Sequence, residues 1–211
     1  VGVDLSSSAV KVLQLSGNQD NIKVDRYAVE PLPANAVSDN SIAEVDLVSA
    51  AINKAFNRAG IKNIGAATAV SGSAVITKII QMPAELSEED LEIQLEQDAT
   101  QYIPYPIEEV SLDFCVLGPV DNNPELNNVL IASSRSENVD ILIEAFGGAG
   151  IPLEVVDVEA FAVERCFNEI KGKYGIEDDE VVALFDIGAS TTIMHAMHKS
   201  TGIYSREQSF G

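Results

Sequence analysis

Val181-Val182-Ala183-Leu184-Phe185-Asp186-Ile187-Gly188-Ala189-Ser190-Thr191-Thr192 is the stretch whose reading decides the fold. An apolar run ends in an aspartate, and Gly188 and small residues follow as far as Thr192. The chain opens on the same arrangement, Val1-Gly2-Val3-Asp4-Leu5-Ser6-Ser7-Ser8. Placing Asp4 on Asp186 puts Leu5 on Ile187, Ser6 on Gly188 and Ser8 on Ser190. Both copies run on into alternating, strand-like sequence, 9–16 in the first and 191–198 in the second. A turn follows in each (16–18; 199–202), and then a third strand (22–29; 203–209). One Asp-x-Gly after a strand is common in ordinary turns. Two copies in matching strand-turn-strand context are far more specific.

The chemistry of such a unit is legible. Backbone N–H groups in a tight turn can converge on one concavity and hold phosphate oxygens. Small side chains let a phosphate approach the backbone closely. An aspartate at the strand end repels phosphate but holds Mg²⁺, directly or through water, and the ion binds the phosphates. Two such turns facing each other would clamp a polyphosphate. The opposing reading of Asp4 and Asp186 is a pair of turn aspartates that satisfy local N–H groups.

Composition narrows the classes. The 211 residues suit one large domain or two small ones, and 46% hydrophobic residues with a mean hydropathy of +0.10 supply a core. No apolar run approaches the roughly 20 residues that span a bilayer. The chain starts directly in a strand, so no signal peptide is visible, and its first residue is Val rather than Met. Cys115 and Cys166 have no paired spacing and suggest reduced thiols in a cytosol. Thirteen basic against 33 acidic residues give a net charge of −20. That balance argues against nucleic acid and against direct docking on an anionic membrane. Glu85, Glu88, Glu89, Asp90, Glu92, Glu96 and Asp98 form an acidic block with no Lys or Arg among them. It reads either as a solvated helix face or as a docking surface for a basic partner.

Between the two copies the pattern is mixed β and α, which suits a sheet with helices on its faces. Residues 30–42 read as a loop. A helix follows, with Asp46 as its cap, Val48, Ala51, Ile52, Ala55, Phe56 and Ala59 at helical spacing, and Gly60 at its end. Residues 64–70 read as a strand. From 74 another strand runs to Gln81. Ser87 caps a second helix in a capping-box arrangement with Asp90; Leu91, Leu95 and Tyr102 form its apolar stripe, with Ile93 off it. Strands are expected at 110–117 and 129–133, then a helix from Ser136 with Val139, Leu142, Ile143 and Phe146 on one face, ended by Gly147-Gly148. A strand at 153–158 leads to a helix with Val163, Cys166, Phe167, Ile170 and Tyr174 on one face. These elements predict a first subdomain over 1–78, a small inserted α+β subdomain over 79–152, the return of the first over 153–180, and the start of a second, duplicated half over 181–211.

VGVDLSSSAVK and LFDIGASTT resemble the first and second phosphate motifs of the actin, sugar-kinase and heat-shock-chaperone superfamily. VVDVEAFAVERCF resembles its connecting segment. The insert's position, and SEEDLEIQLEQDATQYIPYPIEEVSLDF within it, resemble the PilM family of type IV pilus assembly proteins, relatives of the cell-division protein FtsA. The resemblance runs from Val1 to the SREQSFG ending. It implies an actin-like (ribonuclease H-like) α/β fold, ATP with Mg²⁺ between two halves, and a cytoplasmic position at the inner membrane. The implied partner is the short cytoplasmic N-terminal tail of the membrane protein PilN, held near the junction of the insert and the first subdomain, within a complex that reaches other pilus inner-membrane and motor components. An FtsA-like division protein and a small-molecule kinase of the same superfamily are the alternatives.

On this resemblance Asp4 and Asp186 hold Mg²⁺ through water. Ser6, Ser7, Ser8, Gly188, Ala189, Ser190, Thr191 and Thr192 line the phosphates with amides and hydroxyls. Ser6 stands where many relatives have Gly, which narrows the approach of phosphate. Lys11 faces either phosphate or solvent. Glu159 either orients a water for attack on the γ-phosphate or is an acid favoured at a helix start. His195 and His198, three apart on a strand, point to opposite faces and make no metal site. Relatives continue well beyond residue 211, and their adenosine-binding segment lies there. The chain is therefore expected to be a fragment without a purine pocket, and to bind nucleotide weakly or not at all.

Overall fold

The computed structural model describes residues 1–18, 21–38, 41–177, 179–199 and 201–210. Asp178 of the polar break before Val181, Ser200 of the second turn and the final Gly211 lie outside them. The chain forms two compact units, one of Val1–Gly72 with Asp140–Gly211 and a smaller one of Ser73–Val139.

The larger unit begins with an antiparallel meander, β1 (Gly2–Leu5), β2 (Ala9–Ser16) and β3 (Lys23–Pro31). Alternation puts Val3, Val10, Val12 and Ala28 on one buried face. The expected loop over 30–42 is shorter than its polar composition implied. β3 continues to Pro31, and β4 (Val37–Ser38) pairs with β5 (Ser41–Ile42). α1 (Val45–Ala59) packs on β2 and β3 through Val48, Ala51, Ile52, Ala55 and Phe56. Its N-cap is Glu44, not Asp46. Asp46 lies in the first turn, where an acid suits the helix dipole. Gly60 closes the helix in the left-handed region at φ 69°. Arg26 on β3 donates to the terminal carbonyls of Ala59 and Gly60 at 3.1 and 2.7 Å. β6 (Ala66–Val70) then runs parallel to β1.

In the smaller unit β7 (Val75–Pro83), β8 (Val110–Val120) and β9 (Asn123–Arg135) form an antiparallel sheet in the order β7-β9-β8. α2 (Glu88–Tyr102) lies on it through Leu91 and Leu95, against Met82, Val129 and Ile131. The capping box forms: the Asp90 N–H donates to Ser87 Oγ at 3.2 Å. Glu88, Glu89, Asp90, Glu92 and Glu96 of the acidic block are exposed on α2, as is Ile93, while Glu85 precedes the helix and Asp98 is half-buried. The compact unit, 73–139, differs from the 79–152 expected for the insert. β7 starts at Val75 and pairs with β9 from Val75↔Ser134 onward, which draws the boundary earlier.

The later boundary falls inside α3 (Ser136–Ala149), because its second half packs with the larger unit. Asn53 of α1 donates to the Ala149 carbonyl at 3.0 Å. Gly147-Gly148 does not end this helix. Gly148 is a packing residue, since a Cβ there would lie 2.6 Å from Ser49 Oγ of α1. The stop comes at Gly150, φ 72°. Leu142 and Phe146 are buried as expected, but Ile143 is exposed.

β10 (Leu153–Val158) adds to β6 and completes the five-stranded order β10-β6-β1-β2-β3. α4 (Glu159–Ile170) follows directly; Phe167 is its buried residue, while Cys166, Ile170 and Tyr174 are exposed. A second meander ends the chain: β11 (Val181–Ile187), β12 (Thr192–His198) and β13 (Thr201–Gln208).

Candidate phosphate-binding site

The two meanders repeat in register as well as in sequence. In the first hairpin Asp4 faces Lys11 and Leu5 faces Val10. In the second Asp186 faces Ile193 and Ile187 faces Thr192, the same spacing. Each turn is closed by the same backbone bond, Ser6 N–H to Ala9 O at 3.0 Å and Gly188 N–H to Thr191 O at 2.9 Å. Copies this alike place equivalent atoms at equivalent positions. The turns also meet: Ser190 Oγ donates to Ser7 Oγ at 2.7 Å, joining residues 183 positions apart.

The carboxylates gather behind that contact. Lys11 Nζ donates to Asp4 Oδ2 at 2.8 Å, a partner that neither of its two expected orientations, toward phosphate or toward solvent, named. The hydrogen bond to Asp4 raises the Lys11 pKa, and the charges of Asp4 and Asp186 raise it further. Glu159 is the first residue of α4. Burial pushes its carboxyl up, as do the negative charges of Asp4, Asp186 and Glu207, against the Gly72 backbone N–H that donates to it. Acids from β1, β11 and β13 thus lie near enough to the start of α4 to act on Glu159 electrostatically. His195 is buried, with Nδ1 3.1 Å from Ser205 Oγ; burial lowers its pKa and the Asp186 charge opposes that. His198 is half-buried.

Two hydroxyls depart from their expected use. Thr192 is buried and its Oγ1 donates to the Phe210 carbonyl at 2.9 Å. Ser6 Oγ donates to the Ala9 carbonyl and accepts from the Ala9 N–H, so it braces its own turn. Ser7, Ser8, Ala189 and Ser190 remain at the turn tips. Ser71, Gly72 and Glu207 join the site without any sequence signal: Ser71 Oγ donates to Glu207 Oε2 at 3.4 Å.

Glu159 carries a stability consequence. Its folded pKa lies above its unfolded one, so its contribution is fully present below the ordinary value of 4.5 and is lost as pH rises through the folded value. Glu159→Gln is therefore expected to raise Tm at neutral pH and to change it little in acid. Thermal scans at the two pH values check this.

Carboxylates on hard-cation chemistry, small-residue turns and one lysine are a donor set that fits Mg²⁺ and phosphate. Among the described residues no three His, Cys, Asp or Glu side chains form a metal-holding group. Mg²⁺ here would keep most of its waters and contact one or two carboxylates, as it usually does. No helix among the described residues is long and apolar enough to cross a membrane.

Comparison with known proteins bears on the family and the fold. The family model described as type IV pilus assembly protein PilM matches residues 2–211. The solved PilM-PilN type IV pilus biogenesis complex contains a chain 30% identical, with a TM-score of 0.79 over 99% of this chain. This chain covers 60% of the length of that one. The ethanolamine utilization protein EutJ from Carboxydothermus hydrogenoformans is 17% identical, with a TM-score of 0.51 over 100% of this chain and 51% of its own. The cytoplasmic domain of EpsL, an inner membrane component of the type II secretion system of Vibrio cholerae, is 13% identical, with a TM-score of 0.52 over 97% of this chain and 69% of its own. The fold is actin-like, with a mixed sheet and flanking helices.

Proposed function

This chain belongs to the type IV pilus assembly protein PilM family, and from that membership we propose that it serves as an actin-like, nucleotide-binding adaptor of pilus assembly. Its direct partner in this reading is the cytoplasmic N-terminal tail of PilN. Through that tail it sits on the cytoplasmic side of the inner membrane and reaches the other pilus inner-membrane and motor components. The similarity to a chain of the PilM-PilN complex supports the partner.

The observation that carries the nucleotide part is the Ser190–Ser7 contact between two turns of identical register. Asp4 and Asp186 would hold Mg²⁺ through its waters, and such an ion would supply charge that offsets the phosphates. Lys11 and the turn-tip amides at Ser7, Ser8, Gly188, Ala189 and Ser190 bind phosphate oxygens, with Thr191 beside them. Glu159, half-buried and within the field of both aspartates, orients a water.

Two measurements test this. This chain spans 60% of the length of the similar chain of the PilM-PilN complex, and Mg·ATP titrated into it calorimetrically is expected to bind weakly or not at all; micromolar affinity would contradict that. A PilN-tail peptide on beads is expected to retain the chain. Glu88→Lys with Glu92→Lys should slow that association, most at low salt, if the exposed face of α2 steers a basic tail. Failure of the unsubstituted chain to be retained would sink the adaptor reading.

A further inference from the structure

The bases of this chain are not spread evenly. β3 and residues 47–62 hold five of its 13 basic residues, Lys23, Arg26, Lys54, Arg58 and Lys62, but only two of its 33 acids, Asp25 and Glu30. All five bases are exposed. Packing draws them into one corner of the larger unit. The end of α1 lies on β3, where Arg26 reaches the Ala59 and Gly60 carbonyls. Arg58 in turn donates to the Val29 carbonyl at 3.0 Å and to Glu30 at 3.2 Å. Lys54 stands one turn before Arg58 on the same face of α1, and Lys62 lies two residues beyond the Gly60 cap. The second acid, Asp25, accepts from Ser16 Oγ at 2.8 Å. β3 is the last strand of the sheet order, and Val24 and Tyr27 on it are exposed, Tyr27 at 72%.

We propose that this corner of α1 and β3 is a contact surface for the anionic face of a lipid bilayer. Negative headgroups attract bases held near them. Lys and Arg lay their aliphatic stems along such a surface with the charge at headgroup level, and a tyrosine ring settles at the same depth. Exposed Val24 and Tyr27 beside the bases favour a bilayer over an acidic protein, which would set carboxylates against them. The net charge of −20 does not forbid the contact, because salt confines each charge to a reach of about 8 Å. It orients the chain instead: the acidic remainder is repelled, and this corner turns toward the lipid. The setting rests on the adaptor reading. A chain held by the tail of a membrane protein is already beside the bilayer, and that tether raises the local lipid concentration enough for a weak contact to form. The contact itself is measurable without PilN.

Flotation of the chain with vesicles of equal parts phosphatidylglycerol and phosphatidylcholine tests this, against vesicles of phosphatidylcholine alone. The anionic vesicles should carry the chain at low salt and release it as salt is raised, and the neutral ones should leave it behind. Lys54→Glu with Lys62→Glu, at two exposed positions outside both phosphate turns, should lower partitioning onto the anionic vesicles by about tenfold or more. Lys173→Glu with Lys199→Glu makes the same change in net charge at exposed positions elsewhere and should leave partitioning nearly as it was. Equal partitioning on the two vesicle types, or an equal loss in the two double variants, overturns the proposal. If the Lys54, Lys62 variant does not fold, as judged by circular dichroism, Lys54→Gln with Lys62→Gln replaces it, and partitioning equal to that of the unsubstituted chain overturns the proposal. Retention on poly-glutamate beads without vesicle binding would assign the corner to an acidic protein and overturn it too. The PilN-tail peptide should still retain the Lys54, Lys62 variant. Failure of that peptide to retain the unsubstituted chain, with vesicle binding intact, would count against the adaptor reading alone.

Discussion

Phe146→Ala is expected to destabilise the larger unit by about 3–5 kcal/mol, the range for truncating a buried aromatic. Phe146 is 0% exposed and is among the largest fully buried side chains. It sits on the half of α3 that belongs to the larger unit, one turn before the glycine that ends the helix. The cavity cannot close cheaply. Asn53 pins the helix end to α1, and Gly148 already lies as near Ser49 as a residue without a Cβ allows. Ile143→Ala on the same helix is exposed and should cost well under 1 kcal/mol beyond propensity. Chemical denaturation of the two variants checks the contrast. Equal losses would mean that the periodicity of α3, rather than its observed burial, describes its packing.

Asp4→Asn and Asp186→Asn should each lower Mg²⁺-dependent ATP affinity of the whole protein by about 10–100-fold, the loss typical of outer-sphere partners of a bound metal. The turns would remain, because both are closed by backbone bonds that the substitutions do not touch. Stability should change little. The Asp4–Lys11 pair is about half exposed on both sides, 55% and 54%, and such pairs contribute at most about 1 kcal/mol. Calorimetry with and without Mg²⁺ separates the outcomes. An Asp186 variant that binds Mg·ATP normally would mean that the second turn does not share the first turn's ligand. His195 adds a control. Its lowered pKa favours the neutral form in the folded state, so stability is retained above the ordinary value of 6.5 and declines as pH falls below it. Binding comparisons therefore belong at or above neutral pH.

Much of this was legible in the residues themselves. The duplicated Asp-bearing turns announced both hairpins, and local hydrogen bonding then closed them identically. Ser87 and Asp90 marked the start of α2 because a capping box is made by residues three apart. Gly60 marked the end of α1 because a left-handed cap is a local requirement. Gly148 misled, since a glycine that ends a helix and one that admits a neighbouring helix are the same letter. The difference lies in Ser49, about a hundred positions away. Apolar alternation correctly marked β11 as a strand but did not report burial, for Phe185 is 62% exposed.

Sequence by itself determined where strands turn, which residues cap helices and that two Asp-bearing turns of one pattern exist, since each depends on contacts between near neighbours. Only the tertiary structure decided that Ser7 meets Ser190, that Thr192 spends its hydroxyl on Phe210, and that Glu207 and Ser71-Gly72 join Glu159. Those contacts link β-strands and turns far apart in the chain. Their geometry is set by how sheets and helices pack, which no local pattern of residues encodes.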